Sequence, residues 1–175
     1  MEVRMTNAAD WILLKQVRLA ALSDTPTAFG VSYEMAAKYT DEQWQERASA
    51  TAGPEFWLAF IDGEPVGMVG GVVSQTHRYN LIGMWVEPRV RGSDIAARLV
   101  ATVKYRALQK GYERVFLDVA PVNERAANFY LKHGFVFIDE YESLASNPQI
   151  MVQTMLWTEN DHVEQPGVLD QRTSA

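Results

Sequence analysis

Apolar positions along this chain recur with two periods, and each switch between them marks an element. Glu2 to Met5 has strand character. Asn7 then takes the form of an N-cap with Asp10 in the first turn. The helix it opens carries Trp11, Leu14, Val17 and Ala21 at helical spacing, with Leu13 and Leu22 widening the stripe. Ser23 to Phe29 is Pro-punctuated loop, and Thr40-x-x-Gln43 is a capping box that predicts a second helix through Trp44 and Ala48. Phe56 to Ile61 is an apolar run of strand length, Asp62-Gly63 supplies a hairpin turn, and Val66 to Val73 returns as the next strand. Tyr79 to Val86 makes a third long strand. Ile95, Leu99, Val100, Val103 and Leu108 line a long helix that ends near Gly111. Val115 to Val119 is a strand, and Asn123 to His133 is a helix stopped by Gly134. Phe135 to Ile138 and Ile150 to Trp157 are the last two strands.

The order is one strand, two helices, three meandering strands, helix, strand, helix, two strands. A meander implies antiparallel pairing, and the strand-helix-strand unit in the middle implies one parallel pair. No repeat or linker divides the chain. Residues 1–158 form one expected domain. Residues 159–175, polar and carrying Pro166 and Gly167, form an expected C-terminal tail. That tail is a candidate contact for a second copy, which leaves a homodimer among the expected assemblies.

Length and composition fit this picture. A chain of 175 residues, 47% hydrophobic and 22% charged, can bury a core without metal or disulfide help. It has no cysteine, which excludes a disulfide framework, a thiolate metal site and a cysteine nucleophile. No apolar run approaches a membrane span, and the first ten residues lack an apolar signal core, so a cytoplasmic protein is the expectation. Net charge is −6, without a Lys/Arg run, so neither nucleic acid nor a membrane is an expected partner.

The chemistry concentrates in Met84-Trp85-Val86-Glu87-Pro88-Arg89-Val90-Arg91-Gly92-Ser93-Asp94-Ile95-Ala96. A strand ends, a Pro-containing turn follows, and a basic Gly-bearing loop opens directly into a helix. Free N–H groups at a helix start, the macrodipole, and Arg89 and Arg91 together build an anion site suited to a diphosphate. Downstream, Asn123-Glu124-Arg125-Ala126-Ala127-Asn128-Phe129-Tyr130 is closed by Gly134-Phe135. Asn123 and Tyr130, seven positions apart, share one side of a helix.

These two motifs, ordered around the strand from Val115 to Val119, resemble the GNAT superfamily of acyl-CoA-dependent N-acetyltransferases. Its loop motif is Arg/Gln-x-x-Gly-x-Gly/Ala, which Arg91-Gly92-Ser93-Asp94-Ile95-Ala96 matches at both ends, with Asp94 at the first motif glycine. The resemblance implies an α/β (α+β) fold, a mixed, mostly antiparallel sheet of six to seven strands flanked by about four helices. It implies acetyl-CoA as cosubstrate, an amine of a small molecule or peptide as acceptor, and no metal. On this basis Met84, Trp85 and Val86 hold the pantetheine arm. Arg91, Gly92, Ser93, Asp94, Ile95, Ala96, Ala97 and Asn123 complete the cosubstrate site, and Tyr130 protonates the departing thiolate.

The base is less determined by sequence. The family often has Glu on the strand before the loop, where this chain has Asn80. Glu87, Glu34 and His77 are titratable alternatives. Glu87 and Glu34 are the catalytic candidates carried forward, while His77 reads as a hairpin residue. Trp44, Trp57 and Trp85 are candidates for lining an apolar acceptor pocket. A carboxylate about 4 Å from a phosphate, at an effective dielectric of about 20, opposes binding by about 4 kcal/mol before screening. Asp94 therefore either faces the ligand at that cost or turns outward over the helix start. A catalytically weak or inactive version of the fold, acting as a ligand sensor or interaction module, is the competing expectation.

Overall fold

The computed structural model describes residues 1–159. The expected tail falls, from residue 160 on, outside the described residues. The chain builds β1 (Glu2–Met5), α1 (Trp11–Asp24), α2 (Tyr33–Ala37), α3 (Asp41–Ala48), β2 (Glu55–Ile61), β3 (Glu64–Val73) and β4 (Tyr79–Val86). It continues with α4 (Ile95–Gln109), β5 (Arg114–Val119), α5 (Glu124–Lys132), β6 (Val136–Leu144) and β7 (Asn147–Thr158). All seven strands form one sheet in the order β1-β2-β3-β4-β5-β7-β6. Among the described residues only β4 and β5 pair in parallel.

The expected strand meander, parallel pair and α4–β5–α5 order are all present. Two features depart from the sequence reading. A fifth helix, α2, stands between the two expected first; Ser32 caps it by accepting from the Met35 N–H. At five residues it is too short to show a helical period. The last two strands are also longer than expected and meet in a tight hairpin, Ala145-Ser146. Their outer stretches carry Asp139, Glu140, Glu142 and Asn147, which break the apolar run.

The sheet divides two cores. Leu14, Val17, Ala21 and Leu22 of α1 and Trp44 and Ala48 of α3 pack with Leu58, Phe60, Met68 and Trp85 on one face. Ile95, Leu99, Val100 and Val103 of α4 and Tyr130 of α5 pack with Val66, Val69, Leu81, Leu117 and Met155 on the other. Glu55 on β2 is nearly buried and takes Arg106 of α4 at 3.0 and 2.7 Å, with Lys110 at 3.1 Å.

Two buried groups in the second core lack a partner among the described residues, Trp157 Nε1 and the Tyr79 hydroxyl. The Tyr79 hydroxyl is sealed from solvent without a hydrogen bond among the described residues, and burial pushes its pKa up. Gly71 leaves it room, since a Cβ there would lie 2.4 Å from the hydroxyl oxygen. Tyr79→Phe removes the stranded donor and keeps the ring. Chemical denaturation should show a gain of about 1–2 kcal/mol; a loss would mean the hydroxyl is satisfied.

Candidate active site

The end of β4 is built around one extra residue. Met68 pairs with Trp85, and two positions on in β3 Gly70 pairs with Ile82, three positions back in β4. Gly83 sits in this bulge with φ +60, a left-handed conformation that glycine adopts without strain. The bulge flips the alternation of the strand. Tyr79 and Leu81 face the α4 side before it, and Val86 after it, while Ile82 and Trp85 face the α1 side. The parallel pairing with β5 covers only Tyr79↔Val115 and Asn80↔Phe116. Beyond Asn80 the two strands splay, and the β4 edge from Leu81 to Val86 keeps backbone groups outside the ladder. Met84, Trp85 and Val86 lie on this edge.

From that edge the chain turns through Pro88–Val90 into the loop. Gly92 has φ +84, so the left-handed position of the loop is here. Ser93 Oγ donates to the Val90 carbonyl at 2.7 Å, and the first helical bond of α4 runs from Arg98 N–H to Asp94 C=O at 3.0 Å. The first-turn N–H groups of Ile95, Ala96 and Ala97 therefore point out of the helix end toward the loop. Arg91 is engaged elsewhere. Its Nε donates to the Val86 carbonyl at 2.9 Å, and its Nη2 pairs with the Asp24 carboxylate. Asp24 also accepts from Trp85 Nε1 at 3.0 Å, and these bonds hold its pKa below the usual carboxylate range. Arg91 thus fastens the loop to α1 and β4 rather than standing free over an anion.

Asp94 turns outward. Its carboxylate, 62% exposed, takes Arg98 Nε at 2.7 Å, one turn along α4. Its φ of −79° is negative, a value that any residue adopts, so a glycine is not required there. The full Coulomb penalty against a diphosphate does not apply to a carboxylate so placed and screened. Asp94→Gly should accordingly leave acetyl-CoA affinity within about threefold while lowering helix stability by roughly 1 kcal/mol. Calorimetric titration paired with thermal melting checks both, and a tenfold gain in affinity would place the carboxylate against the ligand instead.

Asn123 caps α5, its Oδ1 accepting from the Ala126 N–H at 3.3 Å. Tyr130, two turns on, is buried at 8% exposure between Phe129 and Phe135, with ring centroids at 5.3 and 5.6 Å. Burial raises its pKa, so the phenol keeps its proton across the physiological range.

The sequence candidates for a base are in different settings. Glu34 is exposed on α2, and Glu87 pairs with Arg89 at 2.8 Å. His77 is an exposed turn residue with φ +58. Trp57 and Trp85 are core residues, whereas Trp44 lines a cavity between α1 and α3.

A carboxylate pair that sequence reasoning missed shares a cavity with Asn80, where the splay begins. Asn80 and Ile82 are neighbours on the α1 face of β4, about 7 Å apart along the strand. Ile82 borders the α1–α3 cavity of about 180 Å3. Asn80 borders a polar one of about 310 Å3, lined by Phe116 and Asp118 of β5, Tyr141 and Glu142 of β6, and Thr154 of β7. Thr154 Oγ1 donates to Asp118 Oδ1 at 2.7 Å. The Asp118 carboxylate, then burial, then their mutual hydrogen bond raise the Glu142 pKa. The two are 24 positions apart in sequence, and only the pairing of β7 with both β5 and β6 joins them. The hairpin after Glu142 also reaches the α1–α2 loop, where Ser146 Oγ donates to the Phe29 carbonyl.

Among the described residues no His, Asp and Glu cluster has the form of a metal site, and no helix is long and apolar enough to cross a membrane.

Comparison with known proteins places this geometry. The acetyltransferase (GNAT) family model matches residues 19–135. The uncharacterized N-acetyltransferase YjgM of Escherichia coli (strain K12) is 26% identical over 141 residues, which is 70% of this chain and 83% of that protein. An acetyltransferase of the GNAT family from Streptococcus pneumoniae has the same fold, with a TM-score of 0.72 at 21% identity over 90% of this chain and 98% of that one. The PaiA N-acetyltransferase of Thermoplasma acidophilum, solved in complex with coenzyme A, has a TM-score of 0.70 at 19% identity, covering 90% and 98%. With its bulged β4, its loop into α4 and a family match over residues 19–135, the chain belongs to the acetyltransferase (GNAT) family.

Proposed function

We propose that this protein transfers an acetyl group from acetyl-CoA to the amine of a small molecule. The observation that carries this reading is the β4 edge, freed by the splay and the Gly83 bulge, which runs straight into the Gly92 loop and the start of α4. A pantetheine arm is a chain of amides, and an unpaired strand edge supplies its natural partners. A diphosphate suits the N–H groups over Gly92 to Ala97. The coenzyme A bound by the PaiA protein supports the same guest here.

Acetyl transfer forms a C–N bond and breaks a C–S bond. The amine must arrive without its proton, and the leaving sulfur must be neutralised. Tyr130 fits the second task, because its phenol holds a proton at neutral pH. Asp118 and Glu142 fit the first. A carboxylate whose pKa is raised by a charged neighbour is a stronger base than a lone one, and Glu142, beside Asp118, lines the polar cavity that Asn80 borders. Glu87, paired with Arg89, and Glu34, exposed on α2, are the alternative bases.

Calorimetric titration with acetyl-CoA tests the binding site, and release of free thiol on adding amines tests the reaction. Binding without thiol release across a broad amine panel would favour the sensor reading. The pair also makes a pH prediction. The base acts only when deprotonated, so kcat/KM rises as pH rises through the titration of Glu142. Asp118→Asn removes the negative neighbour that raises the Glu142 pKa, so the rising limb should move to lower pH. The acceptor's own titration is common to both proteins. An unmoved limb would exclude the pair as the base.

A further inference from the structure

We propose that the acceptor carries a carboxylate as well as an amine, on an apolar body, and that Arg18 binds that carboxylate in the cavity between α1 and α3. This inference rests on the acetyltransferase reading and names the acceptor class for it.

The cavity holds donors and no acid. Nη1 of Arg18 is sealed from solvent and has no hydrogen-bond partner among the described residues, and the same holds for Trp44 Nε1. Arg47 lines the same cavity, stacked 3.8 Å from the centre of the Tyr39 ring. The remaining lining is aliphatic or aromatic, including Leu14, Phe56, Met68 and Ile82.

Most of the other described arginines meet an acid, while Arg114 and Arg125, which do not, are exposed to solvent. Arg4, Arg78, Arg89, Arg91, Arg98 and Arg106 each have a carboxylate partner. The whole molecule carries net charge −6, so acids were available. Arg18 has only the Phe29 ring, 4.8 Å away. Burial pulls its pKa below the ordinary arginine value and neighbouring Arg47 adds to this, yet a guanidinium remains charged in a protein. A cation with a sealed nitrogen and no anion is costly, and an incoming anion removes that cost.

Position and shape select the ligand. Arg18 Nη1 lies 3.3 Å from where a Cβ on Gly83 would stand, so it reaches the bulge of β4. A group held there sits at the point where the splayed strand would present the acetyl group. A planar guanidinium fork and an indole N–H match the in-plane acceptors of a carboxylate. The volume, about 180 Å3, is close to that of an engineered apolar cavity that admits benzene, roughly 150 Å3. A single ring or a branched aliphatic chain fits, and the apolar lining favours one. The polar cavity with Asp118 and Glu142 lies next along β4 and receives the amine end.

The direct test is calorimetric titration of the full-length protein with 3-phenylpropionate, 3-phenylpropan-1-ol and inorganic phosphate. Expected is millimolar or tighter binding of 3-phenylpropionate, with the isosteric alcohol weaker by at least about tenfold. Arg18→Met should abolish this preference and Arg18→Lys should keep part of it. The melting temperature of Arg18→Met should match or exceed that of the parent, because an unpaired buried charge is removed. If Arg18→Met fails to fold, the acid-to-alcohol ratio on the parent protein still decides. Equal binding of acid and alcohol, or binding of phosphate alone, would overturn the inference. In turnover, phenylalanine should exceed phenethylamine in kcat/KM by at least about tenfold, and the reverse order would overturn it too. Failure of acetyl-CoA to bind would instead defeat the acetyltransferase reading, while the 3-phenylpropionate titration would still report on Arg18.

Discussion

Tyr130→Phe should lower kcat by about ten- to a thousandfold while the Kd for acetyl-CoA stays within about twofold. The ring packs between Phe129 and Phe135, and phenylalanine retains that packing. Only the hydroxyl is lost, so folding and cosubstrate binding are left in place. What disappears is the proton donor for the departing thiolate, an interaction made as the C–S bond breaks. Steady-state kinetics with acetyl-CoA titrated separately by calorimetry checks the split. An unchanged kcat would show that the thiolate leaves without Tyr130, and a raised Kd with constant kcat would make Tyr130 a binding residue.

Gly83→Val should be the most damaging single change to the site. At φ +60 any L side chain pays roughly 1–2 kcal/mol, and β-branching adds to it. The new Cβ would also stand 3.3 Å from Arg18 Nη1 and 3.6 Å from Met68 Cε. A loss of about 2–4 kcal/mol in denaturant unfolding is expected, with acetyl-CoA binding weakened at least about tenfold. Gly83→Asn should cost much less, because asparagine tolerates the left-handed region. Equal stability of the Val and Asn variants would mean that the bulge does not impose this backbone conformation.

The sequence spoke most clearly where local chemistry alone determines structure. Asp62-Gly63, Thr40 with Gln43, and the stop at Gly134 each act within a few residues, and the elements they bound are where they were expected. The β4 strand and the loop into α4 were legible for the same reason. The bulge at Gly83 was not, since a single inserted residue shows only against the register of β3. Asp94 lay beyond sequence as well, because its direction depends on Arg98 one turn away. The Asp118–Glu142 pair and the cavity of Arg18 are products of tertiary assembly. In sequence each residue is an ordinary charged position, and only strand order and helix packing bring them to one cavity or the other.

The bond between Asp24 and Arg91 has a consequence for how two ligands sense one another. Asp24 is the last residue of α1, and Arg18 lies six residues earlier on the same helix, about 9 Å along its axis. One stiff rod therefore ends on the loop proposed for the diphosphate and carries, partway along, the cation proposed for the acceptor. A shift of the loop on binding acetyl-CoA would be passed through this bond to the rod, and with it to the proposed acceptor cavity. Linkage then makes the effect mutual: whatever factor acetyl-CoA applies to acceptor affinity, the acceptor returns to acetyl-CoA.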